Sequence, residues 1–195
     1  MKFMQNRTIW IVTALVLLMA LTRYNHFGSS VTLPDASYAV FFLGGLFLGR
    51  MRGGLAILGV LLLEATLVDV YAINFQGVSA WCVTSAYGFL MLAYVVLWFV
   101  GRWYAPRHDL TVKGLLGLFT YAAIAGSLAF VIANVSFYLL AGYFGSMSVS
   151  EYVASVMQYY GSYVEVAVLY IGCAVVVQMG YAMLTGKGYR ATKAV

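Results

Sequence analysis

Charge is scarce in this chain. Of 195 residues only 9% are Asp, Glu, Lys or Arg, where a soluble domain carries roughly a quarter. That shortage excludes an ordinary water-facing globule. There are two prolines, Pro34 and Pro106, and both fall between apolar runs, where they punctuate loops. Two cysteines, Cys82 and Cys173, do not make a disulfide framework, and Cys173 sits deep in the last apolar run, far from the edge where Cys82 is placed. With only two histidines, and no CxxC or HExxH spacing, a structural zinc site is excluded as a reading. There is no GxxxxGK[ST] phosphate loop, so the chain has no ATPase motif of its own. What is present is apolar surface: 64% hydrophobic residues and a mean hydropathy of +0.91. The expected class is a polytopic, all-α membrane protein in one integral domain over residues 1–195.

Six spans can be drawn, at 8–22, 36–50, 54–72, 83–101, 113–142 and 159–185. The first ends in MALTRY, which fits a signal-peptide cleavage site poorly, so it is expected to be a retained helix. The second is short and glycine-rich, suited to a tilted helix or one partly sunk between neighbours. The fifth is long enough to tilt strongly or to extend beyond the hydrocarbon. Ten of the eleven Lys/Arg fall on one face: Lys2, Arg7, Arg50, Arg52, Arg102, Arg107, Lys113, Lys187, Arg190 and Lys193. Only Arg23 falls on the other. The positive-inside rule makes the basic face cytoplasmic, with both termini inside. The net charge of +5 is then an orientation signal with some attraction to anionic lipid, and it implies no nucleic acid. In SMSVSEYVASVMQ, 146–158, Ser148 and Glu151 have capping-box spacing, and Val149, Tyr152, Val153, Val156, Met157 and Tyr160 share a face. This segment is either a short amphipathic helix on the outer surface or the start of a kinked sixth span.

Polar residues collect on the outer side: Tyr24, Asn25, His26, Asp35, Asp69, Asn74, Gln76, Trp81 and Cys82. Such one-sided chemistry suits a transporter or receptor. Asp69 lies near the outer end of the third span, and either reaches water or faces a cavity. Glu64, five residues earlier, points to a different side of that helix, and either pairs with a buried polar group or is protonated. Glu165 and Asn134 are further membrane-depth polar groups, with an interhelical hydrogen bond expected for Asn134. Gln178 reads as structural. His26 is a hydrogen-bonding group, metal ligand or proton acceptor. His108, in PRHD, reads as a solvated loop residue without a companion. Cys82, in SAWCVTSAYG, is expected at the start of the fourth helix, where the positive end of the dipole would lower its pKa. An isolated cysteine is most often a small hydrophobe. As a thiolate it would be a soft ligand able to give one bond to a metal held by something else, such as the axial position of a metal macrocycle.

Three segments in order, RYNHFGSSVTLPDASYAVFFLGG (23–45), LVDVYAI (67–73) and GVSAWCVTSAYGFL (77–90), resemble BtuM-type cobalamin transporters. These are similar to solitary S-components of energy-coupling factor (ECF) transporters. The similarity covers residues 22–103; the second half matches only in helix number and hydropathy. The resemblance implies a six-helix ECF S-component-like bundle in the bacterial inner membrane, with vitamin B12 or a related corrinoid as ligand. It maps the cobalt-binding cysteine onto Cys82 and the other motif residues onto His26, Asp69 and Tyr87. It further implies cobalamin uptake and removal of cyanide from cyanocobalamin, with Cys82 as the reacting group. From the chemistry of these side chains, His26 would orient a partner or bond the ligand's amide fringe, Asp69 would accept from those amides or hold His26, and Tyr87 would line the cavity from the side.

One feature departs from ECF S-components. The AxxxA-type docking motif of the first helix is missing: Ala14 is followed four residues on by Leu18, and Ala20 is out of step. That agrees with a solitary transporter lacking a dedicated ECF ATPase module, and leaves trapping inside or an unknown coupling partner as ways to drive uptake. Two other readings stay open: a membrane-embedded corrinoid-processing enzyme that removes cyanide, and an S-component for another vitamin.

Overall fold

The computed structural model describes residues 2–23 and 33–186, with side chains from residue 7 onward. The described chain is all-helical: α1 (Lys2–Thr22), α2 (Ser37–Leu48), α3 (Gly54–Phe75), α4 (Tyr87–Tyr104), α5 (Val112–Leu140), α6 (Val149–Met157) and α7 (Tyr160–Thr185). Two 3-10 turns, Ala80–Cys82 and Ala105–Arg107, flank α4. Among the described residues α3, α5, α7 and α4 with its trailing turn are long and apolar enough to cross a membrane. The described parts of the first two apolar helices, Arg7–Thr22 and Ser37–Leu48, are shorter.

The shortest of the expected spans is the centre of the fold. Eleven of the 12 residues of α2 are buried, so it is covered on all sides. It is about 18 Å long at 1.5 Å per residue, too short for a hydrocarbon layer of roughly 30 Å. A helix that is apolar all round belongs inside a bundle. Its partner is α4, and glycine is what lets the two backbones close. A Cβ on Gly45 would run into the carbonyl of Trp98, and one on Gly101 into the carbonyl of Phe42. This is small-residue packing, the means by which apolar helices associate where lipid removes the hydrophobic drive. α5 packs on α4 and α7 on α5, while α1 and α3 cover the opposite side of α2.

Connections explain the boundaries. Between α2 and α3 the chain reverses through Gly53 at φ 86°, a left-handed conformation that glycine adopts freely. The Thr111 hydroxyl accepts from Gly114 N at 3.2 Å and caps α5. α6 is a separate helix, so of the two readings of residues 146–158 the short helix holds. Its capping box is complete: Ser148 N donates to Glu151 Oε2 (2.8 Å), and Glu151 N donates to Ser148 Oγ (3.3 Å). Its apolar face is only partly packed, with Tyr152 buried and Val149, Val153 and Met157 exposed. Asn134 donates within its own helix to Phe130 O (2.8 Å), and the Tyr152 hydroxyl donates to Asn134 O (3.1 Å), tying α6 to α5.

His108 corrects an expectation. It is buried, not solvated, and its Nε2 is 2.9 Å from Gln178 Oε1 on α7, with Phe47 edge-on at 6.2 Å. Gln178 is thus structural as expected, and His108 is its companion across 70 residues of sequence. Burial pushes the imidazole's pKa down.

Candidate functional site at the Arg23 end

The end of the bundle opposite the α2–α3 and α4–α5 turns collects charge on Arg23. This residue follows the last turn of α1 and is only 1% exposed. Its guanidinium makes four hydrogen bonds: Nε to Ala65 O (3.1 Å), Nη1 to Ser37 Oγ (2.8 Å) and to the Tyr94 hydroxyl oxygen (2.6 Å), and Nη2 to Asp69 Oδ2 (2.7 Å). A planar fork of five donors can serve that many acceptors at once; an ammonium cannot. The guanidinium also lies 5.2 Å from the Tyr94 ring centroid, and Tyr94 stacks on Phe41 at 4.4 Å. Asp35 Oδ2 is 3.9 Å from Nη1, and Asp35 Oδ1 accepts from the backbone N and the hydroxyl of Ser37. One cation thereby links the end of α1, the lead-in to α2, α3 and α4.

Asp69 is the outward edge of this network. Its Oδ2 accepts from Arg23 and from the Tyr87 hydroxyl, each at 2.7 Å, and its side chain is 15% exposed. Its Oδ1 accepts no hydrogen bond from a described residue. Two of the expected site residues, Asp69 and Tyr87, are therefore brought into contact. Tyr87, the first residue of α4, holds the carboxylate in place. His26 lies outside the described residues.

Cys82 is placed differently from the expectation. It closes the 3-10 turn Ala80–Cys82, and α4 begins five residues later at Tyr87. It therefore does not sit at the N-terminus of a long helix, and the expected lowering of its pKa by a helix dipole is absent. Surrounding protein and the Asp69 carboxylate instead push the thiol up. The thiol is free and exposed, and it lies within electrostatic reach of Asp69, of Tyr152 on α6 and of Tyr163 on α7. Its neighbour Trp81 stacks on Tyr143 at 5.1 Å, with Phe137 edge-on at the same distance. These rings form an aromatic wall between the α3–α4 and α5–α6 connections. Cys173 is also free and exposed, on α7. It lines a different cleft, of about 800 Å³, with Trp10, Ala14 and Leu18 of α1.

Glu165 is exposed and is not part of this network. Glu64 has both carboxyl oxygens buried without a hydrogen-bond partner among the described residues, so no pairing with a described polar group is present. Arg23, Ser37 and Tyr94 are site residues that sequence reasoning missed. The available signal was the lone cation on a face holding Asp35 and Asp69.

In chemical terms this end offers a fixed carboxylate with one oxygen open, a tyrosine that orients it, aromatic surface and a nearby thiol. Among the described residues no group of three or more His, Cys, Asp or Glu could hold a metal ion. No protein-family model matches the chain, and no curated protein matches it.

Proposed function

We propose that the chain is a bacterial inner-membrane protein that binds a corrinoid, vitamin B12 or a relative, at the Arg23 end and carries it inward. That end faces outward by the positive-inside rule. The observation that carries the reading is the placement of an unbridged, exposed thiol at Cys82 within electrostatic reach of the braced Asp69–Tyr87 pair. A corrin fills four cobalt positions in a plane and leaves two axial ones. The Cys82 sulfur takes one of them, as a soft donor suits. Asp69 Oδ1 accepts from the ligand's amide fringe. The Trp81–Tyr143 wall gives the flat ligand an amphipathic face on which to rest.

With cyanocobalamin the exchange at cobalt is balanced without an added reductant. The cobalt–cyanide bond breaks, the cobalt–sulfur bond forms, and cyanide leaves with the thiol proton as hydrogen cyanide. Asp69 raises the proton affinity of the thiol, so it is the formation of the cobalt–sulfur bond, with protonation of the departing cyanide, that removes the proton. The experiment is a cyanocobalamin titration of the purified chain followed by visible absorption, with Cys82→Ser alongside. The reading expects a new cobalt–sulfur band and released cyanide in the parent chain. It expects neither in the variant, which retains weakened binding through the remaining surface. Identical spectra from the two proteins would remove Cys82 as the ligand. A corrinoid-free protein that instead binds a flavin or thiamine would replace the ligand class.

A further inference from the structure

Glu64 is the eleventh of the 22 residues of α3, about 15 Å from either end of the helix, which is mid-bilayer depth. It lines a cleft of about 500 Å³ against Ala20 of α1, whose other walls include Val60, Leu63, Leu67 and Val68. Three of these residues, Val60, Leu63 and Leu67, are among the exposed apolar residues of α3, so the cleft opens towards lipid. Both Glu64 oxygens are buried with no hydrogen-bond partner among the described residues. An ionised carboxylate in such a place, with no donor from those residues, is prohibitively costly, and the group neutralises instead.

We propose that Glu64 is an intramembrane proton-binding site, a carboxylic acid at neutral pH whose proton affinity is set by how Arg23 is shared with Asp69. Arg23 is the described cation held beside the residue that follows Glu64. Its Nε is bonded to the carbonyl of Ala65, the next residue, while its Nη2 is held by Asp69. Other titratable groups among the described residues face this region. On α4, Tyr94 and Tyr87 are tied to Arg23 and Asp69; ahead of α2, Asp35 is 3.9 Å from Arg23; Tyr38 of α2 packs on Tyr94 and Tyr163; on α3 itself, Tyr71 lines the same cleft. While Asp69 neutralises Arg23, Glu64 keeps its proton. When a ligand draws Asp69 away, the guanidinium charge is less compensated, and the pH at which Glu64 binds its proton falls. Occupancy at the Arg23 end is thereby linked to protonation half a helix away. That link supplies a proton-dependent step whatever the ligand is.

The test uses dicyclohexylcarbodiimide, an apolar reagent that reacts with protonated carboxyl groups and forms a stable acylurea. The full chain in lipid vesicles is labelled across a pH series, digested, and the adduct located by mass. The expected result is an adduct on Glu64 at neutral pH, falling about tenfold per pH unit above its midpoint and absent in Glu64→Gln. In Asp69→Asn, which removes a neighbouring negative charge and leaves Arg23 compensated by Asp35 alone, the midpoint moves to lower pH. No adduct on Glu64 at any pH would overturn the proposal, as would a yield that does not change with pH. So would a midpoint unmoved or raised in Asp69→Asn. Cyanocobalamin titration of the same preparations reads the corrinoid proposal separately, because Glu64 touches none of the groups assigned to the ligand.

Discussion

At the scale of single residues, Arg23 carries more than any other side chain. Removing it leaves Asp69 and Asp35 facing one another in a largely dry pocket. Arg23→Met is therefore expected to destabilise the fold by roughly 3–5 kcal/mol, the cost of breaking a buried pair at one side. Arg23→Lys recovers only part of that, since lysine lacks the planar fork. Denaturant unfolding in micelles reads both, and a Lys variant as stable as the parent would contradict the four-bond geometry. Cys82 gives a pH prediction. The surrounding protein and the Asp69 charge raise its pKa, so the thiol holds its proton at neutral pH, and binding cobalt through sulfur must release it. The cobalt–sulfur band should strengthen as pH rises, and Asp69→Asn should move its onset to lower pH by removing one of the two causes. A band that strengthens on acidification would contradict this. The sequence carried Asp69, Tyr87 and Cys82 as candidates, but it did not show Arg23 turning inward. Its partners are up to 71 positions away, and no local periodicity reports a contact at that range.

At the scale of elements, long apolar runs were legible because length and hydropathy are properties of the run itself. α3, α5 and α7 begin within one residue of expectation. The start of α4 was not legible. Residues 83–86 are apolar or small and extend the run by pattern, yet the chain makes a 3-10 turn capped by Ser79, whose Oγ accepts from Trp81 N at 3.2 Å. That difference moves Cys82 from a helix terminus to a turn, and reverses the direction of its pKa. The capping box of α6 was legible because both partners lie within one turn. The central place of α2 follows from its glycines, and it is testable. Gly101→Ala sets a methyl against the Phe42 carbonyl, and should cost about 1–3 kcal/mol, the usual range for overpacking. Gly59→Ala, where the added carbon meets open space, is the matched control on α3. Equal thermal stability of the two variants would show that α2 and α4 are not held at glycine distance.

At the scale of the whole molecule, basic residues and the buried charge network occupy opposite ends. Arg50, Arg52, Arg102, Arg107 and Lys113 fall in or beside the α2–α3 and α4–α5 connections, and Arg23, Asp35 and Asp69 gather at the other end. This polarity was legible from charge alone, whereas the two clefts on the flanks of α1 were not, because they depend on how α3 and α7 stand away from it. One guanidinium ties the end of α1 to α2, α3 and α4 at the end away from the basic connections. The central claim is the bond between the Cys82 sulfur and a corrinoid's cobalt. Its most direct measurement is extended X-ray absorption at the cobalt edge, on the purified chain loaded with cyanocobalamin. The account predicts one sulfur in the cobalt coordination shell, lost in Cys82→Ser. A shell of nitrogen, carbon and oxygen alone in the parent chain would contradict it.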